Sequence, residues 1–124
     1  MQSVHDHEII SYEVDLRNRK ITFTTILHSR GNHTKLIFSE VLAHQFETQL
    51  QGSIIFEVYE NELSRFIEEH QELLQRQKNY GWPMNYKTSE DLEAVLQKEE
   101  LKYFVIHSSY GLNGWILAKQ YSII

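Results

Sequence analysis

The chain changes its hydrophobic period twice, and this constrains the fold more than any single motif. Apolar side chains recur at every second position over residues 9–28, at every third or fourth over 61–100, and at every second again over 103–123. Period two marks half-buried strands, and a period near 3.6 marks amphipathic helices. Strands grouped at both ends of a helical insertion predict an α+β fold. The expected architecture is an antiparallel or mixed sheet of five to six strands. Two helices, at about 61–80 and 89–100, precede a C-terminal β-hairpin and pack on one sheet face. The length fits one domain, 1–124, with residues 1–8 expected to be a flexible terminus.

In IISYEVDL (9–16), Ile10, Tyr12, Val14 and Leu16 share a side, and in ITFTTILH (21–28), Ile21, Phe23, Thr25 and Leu27 do. A two-residue turn at Asn18-Arg19 sets Leu16 opposite Ile21, Val14 opposite Phe23 and Ile10 opposite Leu27, which makes one apolar face. The charges of RNRK (17–20) then keep a hairpin tip in water. Residues 35–51 read two ways. A helix from about 39, capped by Ser39 and ended by Gly52, lines up Phe38, Val41, Leu42, Gln45, Phe46 and Leu50. A strand puts Leu36, Phe38, Leu42 and Phe46 on one side, interrupted by Glu40 and His44. SIIFEVYE (53–60) is a strand, after which Asn61 is placed to cap the first clear helix. Gly81 and Pro83 end that helix, and Thr88 or Ser89 caps the second.

The stretch VIHSSYGLNGWILA (105–118) crowds a histidine, two serines and two glycines together. A hairpin explains them with Asn113-Gly114 as its turn, which pairs Leu112 with Trp115, Tyr110 with Leu117 and Ile106 with Tyr121. A catalytic reading fails on geometry. Adjacent strand residues point to opposite faces, so His107 cannot reach Ser108, and Ser109 lies about 6.5–7 Å from it along the strand. No nucleophile-elbow pattern is present. The expectation is therefore a protein that is not an enzyme and carries no catalytic residues.

Charge and composition narrow the partners. The formal charge is −5 and the sequence contains no cysteine. Thiolate chemistry and cysteine-ligated zinc are excluded, and nucleic acid is not an expected partner, because a basic face is missing. No apolar run is long enough to span a membrane, and the N-terminus does not read as a signal peptide, so a cytoplasmic protein is expected. His5 and His7 on an extended backbone, or His44 with Glu40 or Glu47 if that segment is helical, have metal-ligand spacing. His5 and His7 have no evident third ligand and no helical His-Glu-x-x-His pattern is present, so neither metal nor cofactor is expected. The five glycines are scattered singly, with no phosphate-cradling loop.

Two features exceed what a bland surface needs. The loop YGWPMNY (80–86) carries Tyr80, Trp82, Met84 and Tyr86, residue types enriched where proteins dock. The helical half is acidic, with Glu68, Glu69 and Glu72 on its outward face. Together they predict a surface for a basic protein partner, steered by charge and anchored by aromatic rings. The competing expectation for the loop is a lid on the sheet, itself buried. The alternative function is a small-molecule-binding domain or minor hydrolase, with a pocket between sheet and helices lined by His44, Glu57 and His107.

The segments ISYEVDLRNRKITFTT, IFSEVLAHQFETQLQGSIIFEVYE, NYGWP and YFVIHSSYGLNGWILAK resemble small uncharacterised domains of Firmicutes, some of them regarded as immunity proteins of bacterial polymorphic toxin systems. The resemblance implies a long strand over the middle segment that pairs with SIIFEVYE. It also implies inhibition by occlusion, in which the domain binds a cognate toxin, many of which are basic, and blocks it. It assigns no interface residue.

Overall fold

The computed structural model describes residues 3–124. Four strands come first: β1 (Glu8–Asp15), β2 (Lys20–Ile26), β3 (His33–Glu47) and β4 (Ile54–Asn61). The helical insertion holds α1 (Leu63–Glu69), α2 (Gln71–Gln77), a 3₁₀ turn (Lys78–Tyr80) and α3 (Ser89–Lys98), and β5 (Lys102–Tyr110) and β6 (Asn113–Ile123) finish the chain. The α+β expectation holds, with all six strands antiparallel. The sheet closes on itself in the order β1-β2-β3-β6-β5-β4.

Closure rests on a short seam. Glu8 pairs with Ile54, Ile9 N–H donates to Ser53 O, and Ile55 N–H donates to His7 O, the last two at 2.9 Å. Just before the seam the chain turns sharply, with Asp6 at φ 68° and His7 N–H bonded to Val4 O at 3.1 Å. That turn tucks Val4 into the barrel end, where it is buried. Residues 1 and 2 of the expected flexible terminus lie outside the described residues.

Two cores share the sheet. Ile9, Ile21, Phe23, Leu36, Phe38, Ile55, Phe104, Ile106 and Ile116 fill the barrel. Trp115, Leu117, Tyr103 and Ala43 point outward and are covered by Phe66, Ile67, Leu74, Leu92 and Leu96 of the helices. β5 and β6 are therefore apolar on both faces where they lie between the two cores, which explains the unbroken hydrophobic runs Tyr103–Ile106 and Trp115–Ala118.

The question left by residues 35–51 is resolved as a strand of 15 residues. A bulge produced the helical appearance. Glu40 adopts φ 53°, and the register against β6 shifts between Val41 and Ala43. The left-handed backbone at Glu40 changes the phase, so Phe38 and Val41, three apart, both point into the barrel, and the extra residue after Val41 turns Leu42 and Ala43 together toward the helices. The partner implied by the resemblance is corrected: β3 pairs with β2 and β6, and SIIFEVYE pairs with β5.

Both expected hairpin registers are also corrected. Val14, not Leu16, faces Ile21, and Tyr12 faces Phe23. The slip of two keeps the same face inward, but Leu16 moves into the turn and is 78% exposed. Asp15 accepts from both the backbone and the side chain of Asn18 and thereby holds the longer turn. A bulge between Ile9 and Ser11 then sends Ile9 inward and leaves Ile10 exposed.

At the C-terminal hairpin, Tyr103 faces Leu117 and Ile106 faces Gly114. Gly111, at φ 87°, makes the bend instead of Asn113-Gly114. Gly114 lies in β6, and a Cβ there would meet the Gln45 carbonyl oxygen and, at 2.6 Å, Phe46 Cδ1. The Asn-Gly pair therefore reflects close packing of β6 on β3. Asn113 still serves the bend: its side chain accepts from Ser108 N–H at 2.9 Å and donates to Gly111 O at 3.1 Å.

The expected single helix over 61–80 breaks at His70, whose backbone has φ −120° and ψ 29°. Its N-cap is Glu62 and not Asn61, which instead accepts from Glu62 N–H. Gly81 ends this region as expected, in the left-handed conformation. Thr88 caps α3, accepting from Asp91 N–H at 3.1 Å.

Candidate functional site

The helical layer owes its position to Phe66, Leu74, Leu92 and Leu96, whose burial pins three short helices on β3, β5 and β6. At its centre lies an aromatic group. Trp115 is flanked by Phe66 and His70 with ring centroids at 5.0 and 5.1 Å, and by Trp82 at 6.1 Å. The Trp115 indole N–H is buried without an acceptor among the described residues.

Beside it runs a short polar chain. The Tyr103 hydroxyl donates to Glu69 Oε1 at 2.9 Å and lies 3.0 Å from His70 Nε2. With its own hydrogen committed to a carboxylate, the hydroxyl accepts from Nε2–H, which fixes the His70 tautomer. Burial lowers the His70 pKa, and the carboxylates of Glu69 and Glu47 partly offset that. Burial, then the bond to Glu69, raises the Tyr103 pKa. The chain links the sheet to the α1–α2 junction, and the helix breaks where His70 is drawn into it. Tyr103 gave no warning in sequence, where it is one apolar position of a strand.

The expected partner surface divides. Trp82, Met84 and Tyr86 pack at the margin of the helical core. Tyr86 also donates to Leu74 O at 3.4 Å and lies under Lys78 Nζ at 4.9 Å. These three do lid work. Tyr80 alone projects, at 83% exposed. Glu68, Glu69 and Glu72 are exposed on the helices just before it. Residues 60–100 hold ten acidic and five basic side chains, and the rest of the chain holds seven of each. The whole formal charge of −5 therefore sits on this segment.

The alternative pocket does not assemble. Glu57 and His107 are cross-strand neighbours on β4 and β5, both exposed, and His107 rests on Phe56 with centroids at 5.5 Å. His44 lies at another barrel end, near Val14, Ile21 and Val41, where burial lowers its pKa. Glu57 borders a cleft of about 440 Å³ with Val4, His5, Val58 and Tyr121, which neither His44 nor His107 reaches. The hydroxyls of Ser108 and Ser109 donate to the Leu112 and Ile54 carbonyls. Both serve the backbone.

Of the histidines with metal-ligand spacing, His5 is exposed and His7 is buried. No group of three or more metal-ligating side chains forms among the described residues. No helix among them is long and apolar enough to cross a membrane. No protein-family model matches the chain, and no curated protein matches it at a significant level.

Proposed function

We propose that this chain is a non-catalytic protein-binding module that receives a basic partner on its helical layer, in the manner of a cytoplasmic immunity protein that neutralises a toxin by occlusion. One observation carries the reading: the entire formal charge lies on residues 60–100, the segment that also presents Tyr80. Clustered acid raises the encounter rate with a basic surface, and an exposed tyrosine anchors the contact once formed. The resemblance to immunity proteins supports occlusion as the mode of action.

The test is capture from the native host at low and moderate salt, with wild-type protein, Tyr80→Ala, and the triple variant Glu68→Gln, Glu69→Gln, Glu72→Gln as baits. A basic protein held saturably by the wild type should be held about tenfold more weakly by each variant, the scale of one lost anchor. Equal retention by all three baits, or no retained protein, defeats the reading.

A further inference from the structure

The polar end of the barrel, remote from the helical layer, carries a separate site. Thr34 at this end and Ala43 beneath the helices are nine residues apart on β3, or about 30 Å along the strand. Here the Val4–His7 turn faces the loop between β2 and β3. That loop folds back on itself through Arg30 N–H and Gly31 N–H, both donating to Leu27 O, at 2.9 and 3.0 Å. Between turn and loop lies a cleft of about 580 Å³, walled by Ser3, His5, His7, Arg30, Asn32 and Thr34. Its size falls in the range of small-ligand pockets.

His7 is the unusual member. It is 6% exposed, and its Nδ1 lies 2.9 Å from Thr25 Oγ1. The Thr25 hydroxyl hydrogen goes to Thr34 O at 3.2 Å, and a carbonyl can only accept. Thr25 must therefore accept from His7, which places the proton on Nδ1. Nε2 is left as a lone-pair acceptor with no partner among the described residues, on a ring that forms part of the cleft wall. The Trp115 indole nitrogen is the one fully buried side-chain nitrogen or oxygen without a partner among the described residues, so Nε2 of the otherwise buried His7 ring opens to the cleft, where a ligand can reach it.

The charge around it is one-sided. No carboxylate contributes to the wall among the described residues. Asp6 lies beside His5 Nε2 at 3.4 Å, and Glu8 is held by His28 at 2.5 Å. Arg30 makes no ion pair among the described residues, and its positive charge is close enough to help burial depress the pKa of His7.

We propose that this cleft binds a phosphate group, as the free ion or a monoester, with Arg30 taking its charged oxygens and His7 Nε2 accepting its remaining hydrogen. The complement is specific. Guanidinium forms paired hydrogen bonds with phosphate oxygens, and Asn32 and Ser3 add neutral donors. Inorganic phosphate keeps at least one proton through neutral pH, and a monoester keeps one below its second pKa of about 6, so at about that pH either brings a hydrogen to Nε2. Sulfate and acetate satisfy Arg30 but bring no hydrogen for His7.

The experiment is isothermal titration of the full chain at about pH 6 with inorganic phosphate, phenyl phosphate, sulfate and acetate. Nitrogen NMR of the His7 ring is recorded alongside. Saturable binding of phosphate or phenyl phosphate is expected, about tenfold tighter than sulfate or acetate, as one charge-assisted hydrogen bond provides. The Nε2 resonance should move on phosphate addition. Arg30→Gln, in an exposed loop, should weaken phosphate by about tenfold or more without altering the unfolding temperature. The tighter of the two phosphate probes identifies the free ion or the ester. No saturation by about 10 mM, sulfate binding as well as phosphate, or an Arg30→Gln variant that binds unchanged would each overturn the proposal.

Discussion

Tyr103 and Glu69, 34 positions apart in sequence, are joined by a hydrogen bond of 2.9 Å that ties the sheet to α1. Tyr103 is 3% exposed, so its hydroxyl has little water to fall back on. Tyr103→Phe removes the donor to Glu69 and leaves His70 Nε2–H without its acceptor. The expected cost is about 1–3 kcal/mol. Urea unfolding with an unchanged m-value is the measurement, and an unshifted midpoint would show that the chain contributes nothing.

The same tyrosine sets an alkaline limit. Burial and the Glu69 bond hold the Tyr103 pKa above its ordinary value, and burial pushes Tyr121 up to about 12. A raised folded pKa means that the native state keeps protons the unfolded chain has released. The stabilisation is complete below about pH 10 and is lost as pH rises from there through the folded value. Thermal melts between about pH 9 and 11 should show a falling midpoint. Tyr121→Phe should flatten that fall.

On the acid side the sign reverses. Burial depresses the pKa of His44 and His70, and burial with Arg30 depresses that of His7. Each is favoured neutral in the native state, so stability is full above the ordinary value of 6.5 and declines as pH falls below it. His44, near Val14, Ile21 and Val41, is the cleanest case. His44→Leu should leave the melting temperature at neutral pH little changed and make its decline toward about pH 5 shallower. A decline as steep as that of the wild type would assign the effect elsewhere.

Gly114 is required by its neighbours. Any β-carbon there runs into the Gln45 carbonyl oxygen and the Phe46 ring, and the first of these is backbone that cannot step aside. Gly114→Ala should cost about 2–3 kcal/mol through displacement of β6 from β3. Gly31, at φ 73° with nothing within 4 Å of the place a methyl group would take, is the comparison, since its alanine variant meets only backbone strain. Hydrogen exchange of the Gln45 and Phe46 amides separates the two.

The aromatic loop should divide under mutation. Trp82 packs on Trp115, and Trp82→Ala is expected to cost about 2 kcal/mol or more. Tyr80 stands in solvent, and Tyr80→Ala should stay within about 0.5 kcal/mol of wild type. Equal destabilisation by both would mean that Tyr80 is part of the lid.

Local chemistry alone determined much of this molecule. The two changes of hydrophobic period placed strands, helices and strands in order, because each period reflects how side chains leave their own backbone. Gly81 and Thr88 marked helix ends for the same reason, since a left-handed residue and a cap act within one turn. What sequence could not decide depended on residues far along the chain. Glu40 takes a left-handed backbone and β3 slips by one residue against β6 after Val41, and the shifted phase imitates a helix. The Asn113-Gly114 pair matches a turn, yet Gly114 answers to Gln45 and Phe46 across the barrel. Likewise His70 and Tyr103, or His7 and Thr25, become partners only once the sheet closes. A side chain's rotamer and face are local properties. Its partner is a property of the closed barrel, and only the tertiary structure contains it.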